Sequence, residues 1–280
     1  METFDRLNDS DRGAVISLLS REPHINMLIL SNIRNYGMEQ GDTVFHGEYF
    51  GRRDESGLVA VGAVYGLGSL FVYGSSDEAL EGIDDYLEGL ELSPYCVVGK
   101  ETQVERVLDE IGRRVDAGVR RYATDLLVVR GSVSTCDESR QARPATAGDL
   151  DQLVELAAGL EQELFEDSVL ARAVMRDILT GHIENGTAFV IEVDGRIAAK
   201  AEATIVGETG AHIGGVYTVP GCRGLGYSTA CVASLCRRLL DDVEMVVLSV
   251  QKDNDYAWKV YRRIGFEKVD DCMIAMLTFC

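Results

Sequence analysis

Basic side chains are scarce in this sequence: 27 lysines and arginines stand against 46 aspartates and glutamates, a net charge of -19 over 280 residues. A field of that sign repels phosphate backbones and anionic headgroups, so neither nucleic acid nor a membrane is an expected partner, whereas a cationic amine would be drawn in. No apolar run approaches the roughly 18 residues of a membrane span, and the opening Met1-Glu2-Thr3-Phe4-Asp5 lacks the basic-then-apolar layout of a secretion signal; a cytoplasmic protein is the expectation. The seven cysteines (Cys96, Cys136, Cys222, Cys231, Cys236, Cys272, Cys280) form an odd set without a C-x-x-C pair, as reduced thiols do. Cys231 and Cys236 lie about 140° apart around an expected helix and do not face one ligand, so no metal site is expected.

What is present is the composition of a folded chain, 46% hydrophobic and 7% aromatic, long enough for one large or two modest domains. The segment Arg130-Gly-Ser-Val-Ser-Thr-Cys-Asp-Glu-Ser-Arg140 is small, polar and without periodicity, as a linker is. Cutting there gives a domain at 1–130, a linker at 131–139 and a second domain at 140–280.

In the second domain Gln141 to Pro144 reads as a short edge strand, and Thr146 with Asp149 as a capping box before a helix carrying Leu150, Leu153, Val154 and Ala157. A helix from about Ser168 to Glu184 stops at Asn185-Gly186, and strands Thr187 to Val193 and Arg196 to Val206 flank the hairpin signal Asp194-Gly195. There follow a strand from Ala211 to Val219, a helix from Tyr227 to Leu240, an apolar strand from Met245 to Val250, a helix from Asn254 to Ile264 and a last strand from Met273 to Phe279. The order is βααβββαβαβ. The first domain follows a similar grammar: helices from Ser10 to Ser20 and Ile25 to Tyr36, strands near Val44 to Phe50, Leu58 to Tyr65 and Leu70 to Tyr73, then Val97 to Lys100 leading into a helix with Val104, Val107, Leu108 and Ile111. A divergent repeat is the reading this suggests.

The segment richest in chemistry runs from Gly214 to Ala230, a strand passing through a glycine loop into a helix. Gly224 and Gly226 let backbone approach an anion, the amides of the helix's first turn point at it, and Arg223 offers a countercharge. A dinucleotide fingerprint is the rival: Glu244 lies 20 residues after Gly224, but Thr229 stands where the third glycine belongs. A P-loop fails for want of Gly-Lys-Ser/Thr.

Arg223-Gly224-Leu225-Gly226-Tyr227-Ser228 resembles the acyl-CoA pyrophosphate loop of the GNAT (GCN5-related N-acetyltransferase) superfamily, R/Q-x-x-G-x-G/A, with Ser228 in place of the final small residue. Downstream, Asn254, Ala257, Tyr261 and Gly265-Phe266 are similar to the family's second signature, N-x-x-A-x-x-x-Y-x-x-x-G-F. Glu22 to Leu30 with Asn35-Tyr36-Gly37 resembles the N-terminal half of two-domain members, in which a degenerate copy flanks the working one.

The resemblance implies an α/β (α+β) fold of tandem lobes, each a mixed, mostly antiparallel sheet flanked by helices. It further implies direct acetyl transfer from acetyl-CoA to a primary amine of a small molecule or peptide, by a monomer or homodimer. The CoA-binding residues would be Val216, Tyr217, Thr218, Arg223, Gly224, Leu225, Gly226, Tyr227, Ser228 and Asn254, with Asn254 also able to cap its helix. Tyr261 would be the general acid, because a phenol stays protonated at neutral pH and can protonate a thiolate. Members often place a glutamate base on the strand before the loop; here that strand has none, and His212 and Glu202 are the substitutes. The missing carboxylate motivates an alternative, an acyl-CoA-binding sensor without turnover. Trp258 is expected in the core and Cys222 as an incidental thiol. The first half has no such loop: Gly74-Ser-Ser-Asp77-Glu78 is acidic, and no CoA is expected there.

Overall fold

The computed structural model describes residues 3–39, 41, 46–66, 68–89, 94–111, 118–134, 142–165 and 170–277. Positions 44–45, 135–141, 168–169 and 278–280, on which parts of the expected linker, strands and helices fall, lie outside the described residues.

Along the first half run β1 (Phe4–Arg6), α1 (Arg12–Leu19), α2 (Met27–Tyr36), β2 (Gly47–Asp54), β3 (Gly57–Tyr65), β4 (Ser69–Gly74), α3 (Ile83–Gly89), β5 (Cys96–Lys100), α4 (Glu101–Ile111) and β6 (Val119–Arg130). Along the second run β7 (Arg143–Pro144), α5 (Leu150–Phe165), α6 (Arg172–Glu184), β8 (Ala188–Val193), β9 (Arg196–Val206), β10 (Gly210–Thr218), α7 (Tyr227–Leu240), β11 (Met245–Gln251), α8 (Asp255–Ile264) and β12 (Glu267–Leu277). The order βααβββαβαβ occurs in both. Sequence reading had not found β1, α3 or β6, and β12 starts at Glu267 rather than Met273.

The compact units are not contiguous in sequence. One comprises Met1–Leu126, Ser249–Asp253 and Val269–Cys280, the other Leu127–Leu248 and Asn254–Lys268. In the first unit β1 to β4 form an antiparallel meander, β4 pairs parallel with β5, and β12 pairs antiparallel with β5 from Cys272 opposite Lys100 to Met276 opposite Cys96. Met273, Ala275 and Leu277 of β12 thereby enter a core with Phe4, Leu70 and Val104. In the second unit β7 to β10 are antiparallel neighbours and β10 pairs parallel with β11.

Local rules explain the second unit's elements. Thr146 and Asp149 form the reciprocal capping box, and Arg143 binds Asp149 through two bonds of 2.7 and 2.9 Å, which fixes the start of α5. Asp194 and Gly195 take φ of 51° and 76°, the left-handed pair that a two-residue hairpin turn requires. The interior faces of β8 and β9 bury Val190, Ile197, Ala199, Ala201 and Ala203, and α7 buries Cys231, Leu235, Cys236 and Leu239. Burial without a partner charge raises the Cys231 thiol to about 12, so it behaves as a small hydrophobe. Among the described residues no helix is long and apolar enough to cross a membrane.

Candidate active site

The site lies in the second unit, where the sheet opens. β10 pairs with β11 only from Gly210 to Ile213, opposite Met245 to Leu248, and the register with β9 breaks between Gly214 and Tyr217. Gly215 and Val216 form this bulge, with Gly215 at φ 58°. Beyond Ile213 no described residue of β11 pairs with the edge of β10, so the backbone of Val216 is left for another partner, while the Thr218 carbonyl is taken by Arg223. The Thr218 hydroxyl is buried there without a hydrogen bond, an orphan of the kind that marks a ligand position.

After β10 the chain makes a single 3-10 turn, Pro220–Cys222, and enters α7 through Gly224 and Gly226, both left-handed at φ 78° and 79°. Gly226 is the N-cap of α7 and supplies no side-chain bond to its first turn, which begins at Tyr227 and Ser228. A side chain at Gly224 would meet nothing within 4 Å. Leu225 is exposed, and Tyr227 and Ser228 are half-buried. The Gly224 amide donates to the Tyr256 hydroxyl at 3.1 Å, tying the loop to α8. Such a loop, a helix N-terminus without a side-chain cap and with space at Gly224, suits a pyrophosphate.

Arg223 does not stand free as the countercharge. Its guanidinium donates to both carboxylate oxygens of Glu163 at 2.8 and 2.7 Å and, through Nε, to the Thr218 carbonyl at 3.1 Å. Tyr217 also donates to Glu163, at 2.8 Å. Glu163 on α5 was not singled out in the sequence, because helix and loop meet only in three dimensions.

Asn254 caps α8 by accepting from the Ala257 amide at 3.0 Å. About two turns later Tyr261 is buried against Phe266, rings edge to face at 5.9 Å, and burial raises its phenol well above the usual value. It is protonated at any physiological pH. Trp258, expected in the core, is half-buried, since it stands on the flank of α8 rather than on the face of Val260, Tyr261 and Ile264.

Glu202 and His212, both considered as a base, have different surroundings. His212 is half-buried and its Nδ1 lies 3.0 Å from the Thr204 hydroxyl; loss of hydration lowers it to about 4. Glu202 is 4% exposed on β9, and it is not alone. Lys200, 1% exposed, forms an ion pair with its Oε1, and His182 of α6 places Nδ1 2.9 Å from its Oε2. A Cβ on Gly215 would lie 2.4 Å from Glu202 Oε1 and 3.1 Å from Lys200 Nζ, so the pair packs directly under the bulge. Burial lowers the Lys200 amine to about 7, and burial with the nearby Lys200 charge lowers His182 to about 4. Sequence reading missed Lys200 and His182; a lysine on an alternating strand reads as a surface residue.

A cavity of about 470 Å³ between α5 and α6 is edged by the ion pairs Arg172–Glu155 and Arg176–Asp151 and contains none of these residues. In the first unit, Glu22, His24 and Asp270 have ligand atoms within 4.8 Å of one another, but the Lys100 ammonium already serves them as cation, 2.6 Å from Glu22 and 3.3 Å from Asp270. The first unit's counterpart of the sheet opening lies past Phe71, where β4 and β5 cease to pair, and Gln103 fills it. The Gln103 side chain accepts from the Gly74 amide at 3.1 Å and donates to its carbonyl at 2.8 Å.

Residues 150–266 match the model of the acetyltransferase (GNAT) family. No curated protein matches the chain. Among solved structures, a GNAT-family acetyltransferase from Colwellia psychrerythraea superposes with a TM-score of 0.59 at 15% identity, covering 99% of this chain and 100% of that one. A GCN5-related N-acetyltransferase from Sphaerobacter thermophilus gives 0.62 at 15% identity, covering 99% and 96%. A tandem GNAT protein from the clavulanic acid biosynthesis pathway, solved without AcCoA, gives 0.55 at 13% identity, covering 99% and 98%. With the family match over 150–266 and the first signature loop placed where the sheet opens, residues 150–266 form a domain of the GNAT acetyltransferase family.

Proposed function

We propose that the 140–280 domain transfers an acetyl group from acetyl-CoA directly to a primary amine of a small molecule or peptide, and that the 1–130 domain is a degenerate copy that binds no CoA. The observation that carries this reading is the parting of β10 from β11 immediately before the uncapped N-terminus of α7. Exposed strand backbone suits the amides of a pantetheine arm, and a helix N-terminus suits its pyrophosphate. Gln103 in the first unit supports the second part of the proposal, since its amide already takes both backbone groups of Gly74.

In this reading Val216, Tyr217 and Thr218 line the arm, Arg223 to Ser228 hold the phosphates, and Asn254 orders the start of α8 beneath them. Glu163 competes for Arg223, so bound phosphate gains its charge-assisted contact only as that pair loosens. The amine attacks the thioester carbonyl, and the departing thiolate takes a proton from Tyr261, whose burial keeps the phenol intact until a thiolate forms beside it. Glu202, a buried carboxylate on β9, and His212 on β10 are the candidates to take the ammonium proton. The negative net charge, -19, favours a cationic acceptor.

The test is a calorimetric titration of the purified protein with acetyl-CoA beside the Ser228→Glu variant, followed by thiol-release assays across primary amines. An acidic residue in the first turn of a helix is tolerated or stabilising, yet it repels pyrophosphate. Binding by the wild type that weakens at least tenfold in the variant is the expected result. Absence of acetyl-CoA binding to the folded wild type would sink the proposal.

A further inference from the structure

The base of the reaction is the question left by a β10 that carries no carboxylate. We infer that His182 accepts the proton of the acceptor ammonium through Nε2, with Glu202 and Lys200 as positioning residues that hold its tautomer; this rests on the acyltransferase reading above.

Both oxygens of Glu202 are committed. Oε1 accepts from Lys200 and Oε2 faces His182 Nδ1 at 2.9 Å. An ionised carboxylate only accepts, so the imidazole must carry its hydrogen on Nδ1 and keep the lone pair on Nε2. Lys200 sets the direction of this chain, because an ammonium can donate to Oε1 but cannot accept from it.

Access follows the same order. The side chains of Lys200, Glu202 and His182 are 2%, 6% and 15% exposed, so the histidine is the most accessible of the three. Glu202 Oε1 is sealed by the bulge, where even a Cβ on Gly215 would approach to 2.4 Å, and an amine would find no room. His182 is itself anchored: the Thr187 amide and hydroxyl both donate to its carbonyl, at 2.8 and 3.2 Å, fixing the last turn of α6. The arrangement is that of a carboxylate holding a histidine in the tautomer that can take a proton. His182 and His212 are both lowered to about 4, but only His182 is oriented by a carboxylate.

The proton balance closes. The ammonium R–NH3+ gives one proton to Nε2, leaving a neutral amine and an imidazolium whose Nδ1–H stays on Glu202. The amine lone pair forms the N–C bond, the C–S electron pair leaves with sulfur and takes the Tyr261 proton, and the second nitrogen proton passes to solvent, from which the Tyr261 phenolate is reprotonated. The imidazolium returns its proton to water.

Two measurements test this. Long-range 1H–15N correlation of the imidazoles at pH 7 reads the tautomer directly, and with four histidines in the chain the His182→Gln spectrum assigns the signal. An Nδ1–H form that loses its preference in Glu202→Gln is expected; an Nε2–H form overturns the inference whatever the enzyme does. In the thiol-release assay His182→Ala should lose on the order of 100-fold in kcat, keep its acetyl-CoA affinity, and regain activity with added imidazole. Full activity in His182→Ala would also overturn it. If the wild type binds no acetyl-CoA, the acyltransferase reading falls and takes the catalytic step with it, while the tautomer still reports on the Lys200–Glu202–His182 chain.

Discussion

Gly215 occupies a place no other residue can share. Its φ of 58° lies in the left-handed region, and an added methyl would come within 2.4 Å of Glu202 Oε1 and 2.8 Å of the Glu202 carboxyl carbon. Gly215→Ala must therefore strain the backbone or push the carboxylate off Lys200, and leaving a buried charge poorly paired is itself costly. Chemical denaturation of the variant should show a loss of about 1–3 kcal/mol. Wild-type stability would remove the close approach of bulge and carboxylate from the account. Tyr261 offers the opposite separation of roles. Tyr261→Phe keeps the ring against Phe266 and deletes only a hydroxyl, so the midpoint of unfolding should move by no more than about 1 kcal/mol while kcat falls about 100-fold. A variant that loses stability but not turnover would make Tyr261 a packing residue.

At the scale of elements, the start of α5 combines a cap with an ion pair between buried Asp149 and the partly exposed Arg143. Asp149 accepts from Arg143, from the Thr146 amide at 2.7 Å and from the Thr146 hydroxyl at 2.9 Å, and with 9% of its side chain exposed its pKa falls from 3.8 to about 2. The Arg143 bonds are the largest cause. A carboxylate depressed on folding contributes stability above its unfolded pKa and loses it as pH falls toward its folded one. Asp149→Asn should accordingly cost about 2 kcal/mol at pH 7, and the gap to wild type should narrow between about pH 4 and pH 2. A gap independent of pH across that window would mean that the cap works without its charge. This box, the Asp194-Gly195 hairpin and both signature loops were legible in the sequence because each is a short-range pattern with a conformational cause. β6 was not: Arg120 and Arg121 interrupt its apolar alternation, which resumes only at Leu126. Nor was the Lys200–Glu202–His182 chain, since α6 and β9 meet through packing rather than spacing. Arg223 was read as the countercharge of the loop, whereas its partner Glu163, 60 residues away, could not be read from spacing.

For the whole molecule, the assignment of β12 has the largest consequence. A cut at the polar linker would separate residues 1–134 from the strand that closes their sheet. Without Cys272 to Met276 the β5 edge is left unpaired, and the core that receives Met273, Ala275 and Leu277 is opened. Losing burial of the two larger side chains alone amounts to roughly 3–6 kcal/mol, a substantial part of the 5–15 kcal/mol typical of a folded domain. The other fragment is deprived in turn, because Leu127 to Arg130 of β6 belong to the second unit and Leu127, Val128 and Val129 are buried. Residues 1–134 expressed alone should therefore be insoluble or lack fixed tertiary packing by near-ultraviolet circular dichroism, whereas co-expression with 135–280 should recover a soluble, cooperatively unfolding pair. Independent, cooperative folding of 1–134 would show that the first unit closes without β12. Because each half of the sequence supplies residues to the other's unit, β12 from Val269 to the first and Leu127 to Arg130 to the second, a first domain without CoA, as proposed, would still be retained: the second unit lacks its full core without it.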